Sequence, residues 1–262
     1  MRQSRWQCAV GMIALCVLVG MSSAQTGSPS AAETALQNAA RNGQYLFLIF
    51  YKEEDAATQA MKTTLDAALA RQGGRCQAFT VRVNDPSEKA LVARYGLSRA
   101  PMPIALAVAP NGAITGGFPL KITEQDVAGA FVSPGMAACL KVTQARKLVL
   151  LCVRPAGSTE ALPAGINEVK ADPQYGPVTE VVTFRADDAA EAGFLKMLEL
   201  NPKTNVPLTA VLVPPGQRIA VFEGAFTREQ FDQQIKASQQ GCCPGGKCGP
   251  GGCCPGGNCG PN

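Results

Sequence analysis

Apolar and polar positions fall into two long blocks built on one plan. In the first, Tyr45-Leu-Phe-Leu-Ile-Phe-Tyr51 is an unbroken apolar run of strand length, the pattern of a strand buried on both faces between helices. Ahead of it, residues Glu33 to Arg41 set Leu36 among alanines and polar residues, which predicts a short helix stopped near Asn42-Gly43. After it, Glu53-Glu54-Asp55 suit a helix start, and Met61, Leu65, Ala68 and Leu69 recur at helical spacing until Gly73-Gly74. Phe79 to Val83 predicts a second strand, Asp85-Pro86 opens a helix that runs to about Tyr95, and Gly96 stops it. Ile104 to Ala109 is a third strand, Asn111-Gly112 a hairpin turn, Ala113 to Phe118 the returning strand, and Thr123 caps a helix through Phe131.

The second block repeats the first. Lys147 to Val153 is again a buried-type strand, but Pro155, Gly157, Pro163 and Gly165 break the region after it, so a loop replaces much of the next helix. Val178 to Phe184 predicts a strand, Asp187 to Leu200 a helix through Phe194, Leu195 and Leu198, and Pro207 to Val213 another strand. Pro214-Pro215-Gly216 turns the chain into a returning strand from Arg218 to Phe222, and a last helix spans Thr227 to Ala237. Part of the repeat is literal. Pro103, Pro110, Gly112, Phe118 and Thr123 recur 104 residues later as Pro207, Pro214, Gly216, Phe222 and Thr227. A proline lacks the N–H that a central strand donates, so at these two places it belongs at the first residue, where a tight entry can favour the cis isomer, and the sequence leaves the isomer of Pro103 and Pro207 open.

The order α, β, α, β, α, β, β, α, with Tyr95-Gly96-Leu97, then Pro103-Ile104, then Asn111-Gly112, resembles the thioredoxin fold over roughly residues 33–133. The second block resembles it too, so the expected fold class is α/β, two consecutive thioredoxin-like units, each a central mixed sheet flanked by helices. The expected division is a signal peptide at 1–24, a leader at 25–32, unit 1 at 33–133, a linker at 134–146, unit 2 at 147–238 with a degenerate first helix, and a Cys/Gly/Pro-rich tail at 239–262. In the resembling family the backbone beside the strand-opening proline pairs with an extended substrate, which makes Met102, Pro103, Val206 and Pro207 the peptide-docking candidates. Thioredoxin-fold oxidoreductases also carry Cys-x-x-Cys where the first long strand meets the next helix, because a helix N-terminus stabilises the attacking thiolate. Here that place holds Tyr51-Lys-Glu-Glu-Asp-Ala-Ala-Thr58, and in unit 2 Arg154-Pro-Ala-Gly-Ser158, with no cysteine in either. Dithiol exchange by the globular units is therefore not expected, and the balance leans away from an enzyme.

Composition removes other chemistry. The chain has 262 residues and no histidine, which excludes imidazole bases, Ser-His and Cys-His pairs, and imidazole metal ligands. A net charge of +4, with charged residues at 17% and scattered, offers no basic stripe for nucleic acid. Arg2 and Arg5, the apolar stretch Ala9 to Met21 and Ser22-Ser23-Ala24 form a secretory signal cleaved after Ala24. That stretch is shorter than the ~20 residues of a spanning helix, so no stable membrane span is expected after cleavage. Leu15 before Cys16 disfavours lipidation. The expected location is exported, periplasmic or extracellular, where disulfides persist.

Glu53, Glu54 and Asp55 admit two readings, a carboxylate site or a solvated first turn favoured by the helix dipole, and the second suits three consecutive acids better. Cys152 reads as a buried small hydrophobe, while Cys76 and Cys139 are candidates for one disulfide. The tail changes composition abruptly and has its own repeat of 11 residues, taking Cys242, Cys243 and Cys248 to Cys253, Cys254 and Cys259. With cysteine and proline as its only apolar residues it cannot bury a core, so disorder is expected unless it is cross-linked or metal-bound. Its six sulfurs suit disulfides, a soft metal such as Cu(I) or Zn(II), or a redox role. Cysteine-rich tails resembling this one occur on exported bacterial proteins of unassigned role.

The functional expectation is an exported binding module for a protein or peptide partner, with the tail as a metal-holding or disulfide-forming segment. Two alternatives stay open: a thiol-disulfide oxidoreductase or isomerase using the tail cysteines, and a structural surface component held in disulfide-linked oligomers.

Overall fold

The computed structural model describes residues 29–159 and 161–239. Unit 1 runs α1 (Ala31–Arg41), β1 (Tyr45–Tyr51), α2 (Ala56–Ala70), β2 (Cys76–Arg82), α3 (Lys89–Arg94), β3 (Ile104–Val108), β4 (Ile114–Pro119) and α4 (Glu124–Gly129). Unit 2 runs α5 (Pro134–Gln144), β5 (Leu148–Arg154), α6 (Ala164–Ala171), β6 (Thr179–Arg185), α7 (Ala192–Met197), β7 (Leu208–Val213), β8 (Gln217–Glu223) and α8 (Arg228–Gln239). The two sheets have four strands each, in the orders β2-β1-β3-β4 and β6-β5-β7-β8. In both, the first pair is parallel and the other two are antiparallel. Each unit is thus a βαβ crossover followed by a ββα hairpin about one central strand, the thioredoxin-like arrangement.

The apolar runs become central strands because a sheet covered on both sides hides every side chain. Tyr45, Phe47 and Ile49 of β1 enter the core under α2 and α4, while Leu46, Leu48 and Phe50 enter the core shared with α1 and α3. In β5, Val149, Leu151 and Val153 face α5 and α7, and Leu150 and Cys152 face α6 and α8. Each fully buried large side chain contributes roughly 1.5–3 kcal/mol relative to exposure, so these two strands anchor their units.

The stretch expected to link the units departs from that expectation. Residues 134–146 contain helix α5, the counterpart of α1 and the first helix of unit 2. Ser133 caps it by accepting from the Met136 N–H at 3.3 Å, and Pro134 stands where its missing N–H costs nothing. The buried carboxylate of Glu191 accepts from the Ser133 hydroxyl at 2.5 Å and from the Gly135 N–H at 2.6 Å. In unit 1, Glu88 does the same for the Ser30 hydroxyl at 2.6 Å and the Ala32 N–H at 3.1 Å. A Ser-Pro-Gly that reads as a linker in one dimension is therefore a cap held from 58 residues away. Gly135 is required by space: a Cβ there would lie 2.7 Å from the Glu191 carboxylate and 2.7 Å from the Phe184 ring.

Helix α5 also touches unit 1. Ala137 packs into the core under α2 and α4, while Cys139 two residues on lies in the core of unit 2. The Gln144 amide accepts from the Ile114 N–H at 2.9 Å and donates to the Ile114 carbonyl at 2.6 Å, filling part of the outer edge of β4. After β5 the chain is irregular from Pro155, and α6 has 8 residues against 15 in α2.

Candidate functional site

The place to examine is where β1 meets α2, beside the loop into β3. The register Phe50↔Ile104 carries Pro103 alongside Tyr51, and the Met102–Pro103 peptide bond is cis. Asp55 caps α2, accepting from the Thr58 N–H at 2.8 Å, and this hydrogen bond holds its carboxyl below the usual carboxylate range. Thr58 is buried and its hydroxyl donates to the Glu53 carbonyl at 3.0 Å. Glu54 takes Lys62 Nζ at 2.5 Å and Gln59 Nε2 at 2.6 Å, and the Lys62 hydrogen bond lowers its pKa. The Lys62 ammonium also sits 4.7 Å from the centre of the Tyr51 ring. Glu54 and Asp55 are each engaged locally and exposed, so they do not converge on a point where a water or substrate would be activated. Asp55 is a cap and Glu54 a surface ion pair.

The docking candidates separate into an open pair and a closed one. Met102 is half-buried against the α1/α3 core, and its backbone N–H and C=O have no hydrogen-bond partner among the described residues. In unit 2 the register Val153↔Leu208 carries Pro207 to the matching place beside Arg154. There, however, the Thr204 hydroxyl accepts from the Val206 N–H at 3.2 Å and donates to the Val206 carbonyl at 2.5 Å. Both backbone groups that an extended peptide would use are taken. The Val206–Pro207 bond is trans, and the other cis bond among the described residues is Pro214–Pro215, in the hairpin turn. Thr204, which closes this edge, was missed in the sequence, although a threonine two residues before its bonding partner is a known local turn former.

The three described cysteines are free and buried. Cys76 opens β2 in the core under α2 and α4, and Cys139 lies on the face of α5 turned to the second sheet, so these two candidates for a disulfide are not joined. Different cores claim the two sulfurs. Burial, with a smaller contribution from Glu191, pushes the Cys139 thiol up to about 12. Burial also raises Cys76 and Cys152. A thiol held protonated is a poor nucleophile and a poor metal ligand. No group of three or more Cys, Asp or Glu that could hold a metal ion occurs among the described residues, and no described helix is long and apolar enough to cross a membrane. The signal peptide expected at 1–24 and the tail cysteines Cys242, Cys243, Cys248, Cys253, Cys254 and Cys259 lie outside the described residues.

A cleft of about 430 Å³ lies at the other end of the first sheet, between α1, the β3–β4 turn and α5. Several of its polar groups are already used within the chain: Arg94 pairs with Glu33, Asn111 accepts from the Ala113 N–H, and Lys141 and Gln144 bond to the β3–β4 hairpin.

No protein-family model and no curated protein matches the chain. Among solved structures it is similar to the first two thioredoxin domains of Naumovozyma dairenensis Eps1p, at 10% identity and a TM-score of 0.29 over 83% of this chain and 98% of that one. It is similar to the N-terminal N/C domain of alkylhydroperoxide reductase AhpF from Enterococcus faecalis, at 17% identity and a TM-score of 0.26 over 76% and 95%. A disulphide isomerase from Xylella fastidiosa matches at 14% identity and a TM-score of 0.31 over 42% and 92%. These scores are low, and the assignment of two thioredoxin-like units rests on the strand orders and connections described above.

Proposed function

We propose that the protein is an exported binding module in which unit 1 holds an extended peptide against Met102 and Pro103. The observation that carries this reading is the open backbone of Met102 at a place where no thiol faces it. An extended segment laid there gains main-chain hydrogen bonds and is not cleaved or reshuffled, because Lys52 to Asp55 offer neither a nucleophile nor a convergent acid pair. The tail supplies attachment. Its thiols form disulfides, each pair losing two protons and two electrons to the oxidant of the compartment, or bind a soft ion such as Cu(I) or Zn(II).

Amide chemical-shift mapping with unstructured peptides tests the docking. Shifts centred on residues 51–55 and 101–104, with residues 204–207 unmoved, are expected. Equal shifts in both units, or none, would remove the peptide reading. For the tail, thiol titration and metal analysis of the chain with and without residues 241–262 are expected to show sulfurs protected by disulfide or metal. Insulin reduction that disappears in the C242S/C243S variant would establish the oxidoreductase alternative instead.

A further inference from the structure

One place recurs in both units with different chemistry. In unit 1 it is the cleft of about 430 Å³ between α1, the end of α3, the β3–β4 turn and α5. Its floor is a row across the sheet, in which Leu46 of β1 pairs with Val108 of β3 and Val108 with Ile114 of β4. Leu46 and Val108 belong to the α1/α3 core, and Ile114 is half-buried.

In unit 2 the same place is apolar and nearly filled. Aligning α5 with α1 and α7 with α3 from their first residues sets Leu140 on Gln37, Met197 on Arg94 and Leu198 on Tyr95. These three line a pocket of only about 70 Å³. Arg218, which holds the ladder position of Ile114, ties β8 to the end of α7 by donating to the Leu198 carbonyl at 2.7 Å and to Glu199 at 2.8 Å. The frame is therefore satisfied by apolar side chains at these positions, and packing does not impose the polar set that unit 1 carries.

That polar set is only partly used. Arg94 is neutralised by Glu33. Lys141 Nζ makes one long contact, 3.4 Å, to the Gly112 carbonyl and pairs with no carboxylate among the described residues. The Tyr95 ring is set edge-on to Phe50 with centroids 6.0 Å apart, while its hydroxyl and the Gln37 amide have no hydrogen-bond partner among the described residues. No Asp or Glu is among the residues that line the cleft. What remains is one unpaired positive charge and two uncharged hydrogen-bonding groups above an apolar floor.

We propose that this cleft binds a small organic monocarboxylate with an apolar body. The carboxylate accepts from the Lys141 ammonium and from the Tyr95 hydroxyl or the Gln37 amide, and the body covers Leu36 and Ile114. One unpaired cation balances one negative charge, whereas a phosphate dianion would bring a second with no counterpart. The volume falls in the range of about 300–1,000 Å³ usual for small-molecule sites. The cleft lies at the opposite end of unit 1 from Met102 and Pro103, so it stands independently of the peptide reading.

The test is calorimetric titration of the full chain with sodium octanoate, with amide chemical shifts to place the site. Saturable binding with a dissociation constant on the order of 1 mM or tighter is expected, and octylamine should bind at least about tenfold more weakly. Shifts should centre on residues 36–40, 94–95, 108–114 and 141–144 and leave the matching residues of unit 2 unmoved. Lys141→Met, at an exposed position, should raise the dissociation constant about tenfold and Tyr95→Phe about threefold. Ala40→Trp, which fills the cleft from the exposed side of α1, should abolish binding. Should that variant fail to fold, Lys141→Met decides the matter. No saturable binding, octylamine binding as well as octanoate, an affinity indifferent to Lys141→Met, or shifts centred elsewhere overturns the proposal.

Discussion

The two units carry the same fold on different surfaces. Unit 1 keeps a 15-residue α2 capped by Asp55, an open Met102 backbone beside a cis proline, and a β4 edge sealed by Pro119 and Gln144. Unit 2 has an irregular stretch after β5 and an 8-residue α6, its matching backbone is closed by Thr204, and its β8 edge is open. The open positions are exchanged: the proline side is free in unit 1 and the hairpin edge in unit 2. The thioredoxin-like frame needs the central strand, the buried glutamate and the strand-opening proline, and these occur in both. What differs between the units lies at the ends of the strands.

Breaking each core in turn is the strongest probe of this comparison. Phe47→Ala in unit 1 and Leu151→Ala in unit 2 remove fully buried side chains, each at a cost of about 3–4 kcal/mol. Because α5 contributes to both cores, each change is expected to lower the urea midpoint of amide protection in both units, and independent melting of the units would refute that coupling. A smaller effect distinguishes the two helix starts. Gly135→Ala drives a Cβ into Glu191 and Phe184 and should destabilise by about 2 kcal/mol, whereas Ala32→Gly at the matching position of unit 1 should cost about 1 kcal/mol. Equal losses in denaturant titration would mean that the two glutamate cradles are equally roomy.

The smallest effect at neutral pH comes from the cysteines. Folding raises the Cys139 thiol from 9.0 to about 12, so its contribution to stability is complete below pH 9.0 and is lost as the pH rises toward about 12. The urea midpoint should fall across that range, and Cys139→Val should flatten the fall. An unchanged slope in that variant would move the cause to another group. Iodoacetamide at about pH 8 should leave Cys76, Cys139 and Cys152 unmodified until the chain is unfolded.

Much of the fold was legible in the sequence. The run Tyr45 to Tyr51 spans β1 residue for residue, and the turns at Asn111-Gly112 and Pro214-Pro215-Gly216 lie between the hairpin strands they announce. Such features are local, since unbroken hydrophobicity, a helix cap or a tight turn declares itself within a few residues. Helix α5 was not legible, because Ser133-Pro134-Gly135 becomes a cap only when Glu191 arrives. Whether Cys76 and Cys139 join was left open for a related reason: spacing says nothing about which core a sulfur enters. The absence of cysteine beside Met102 was plain in the sequence, but the closure of Val206 by Thr204 was not.

By itself, then, the sequence determined two α/β units of one pattern, the absence of histidine chemistry and the lack of a thiol pair beside either proline. These follow from residue type and periodicity, which need no partner. Only the tertiary structure decided which backbone edges are open. An edge is a relation between strands, and whether its N–H and C=O groups are free depends on a glutamine 30 residues away in one unit and on the lack of any described counterpart in the other.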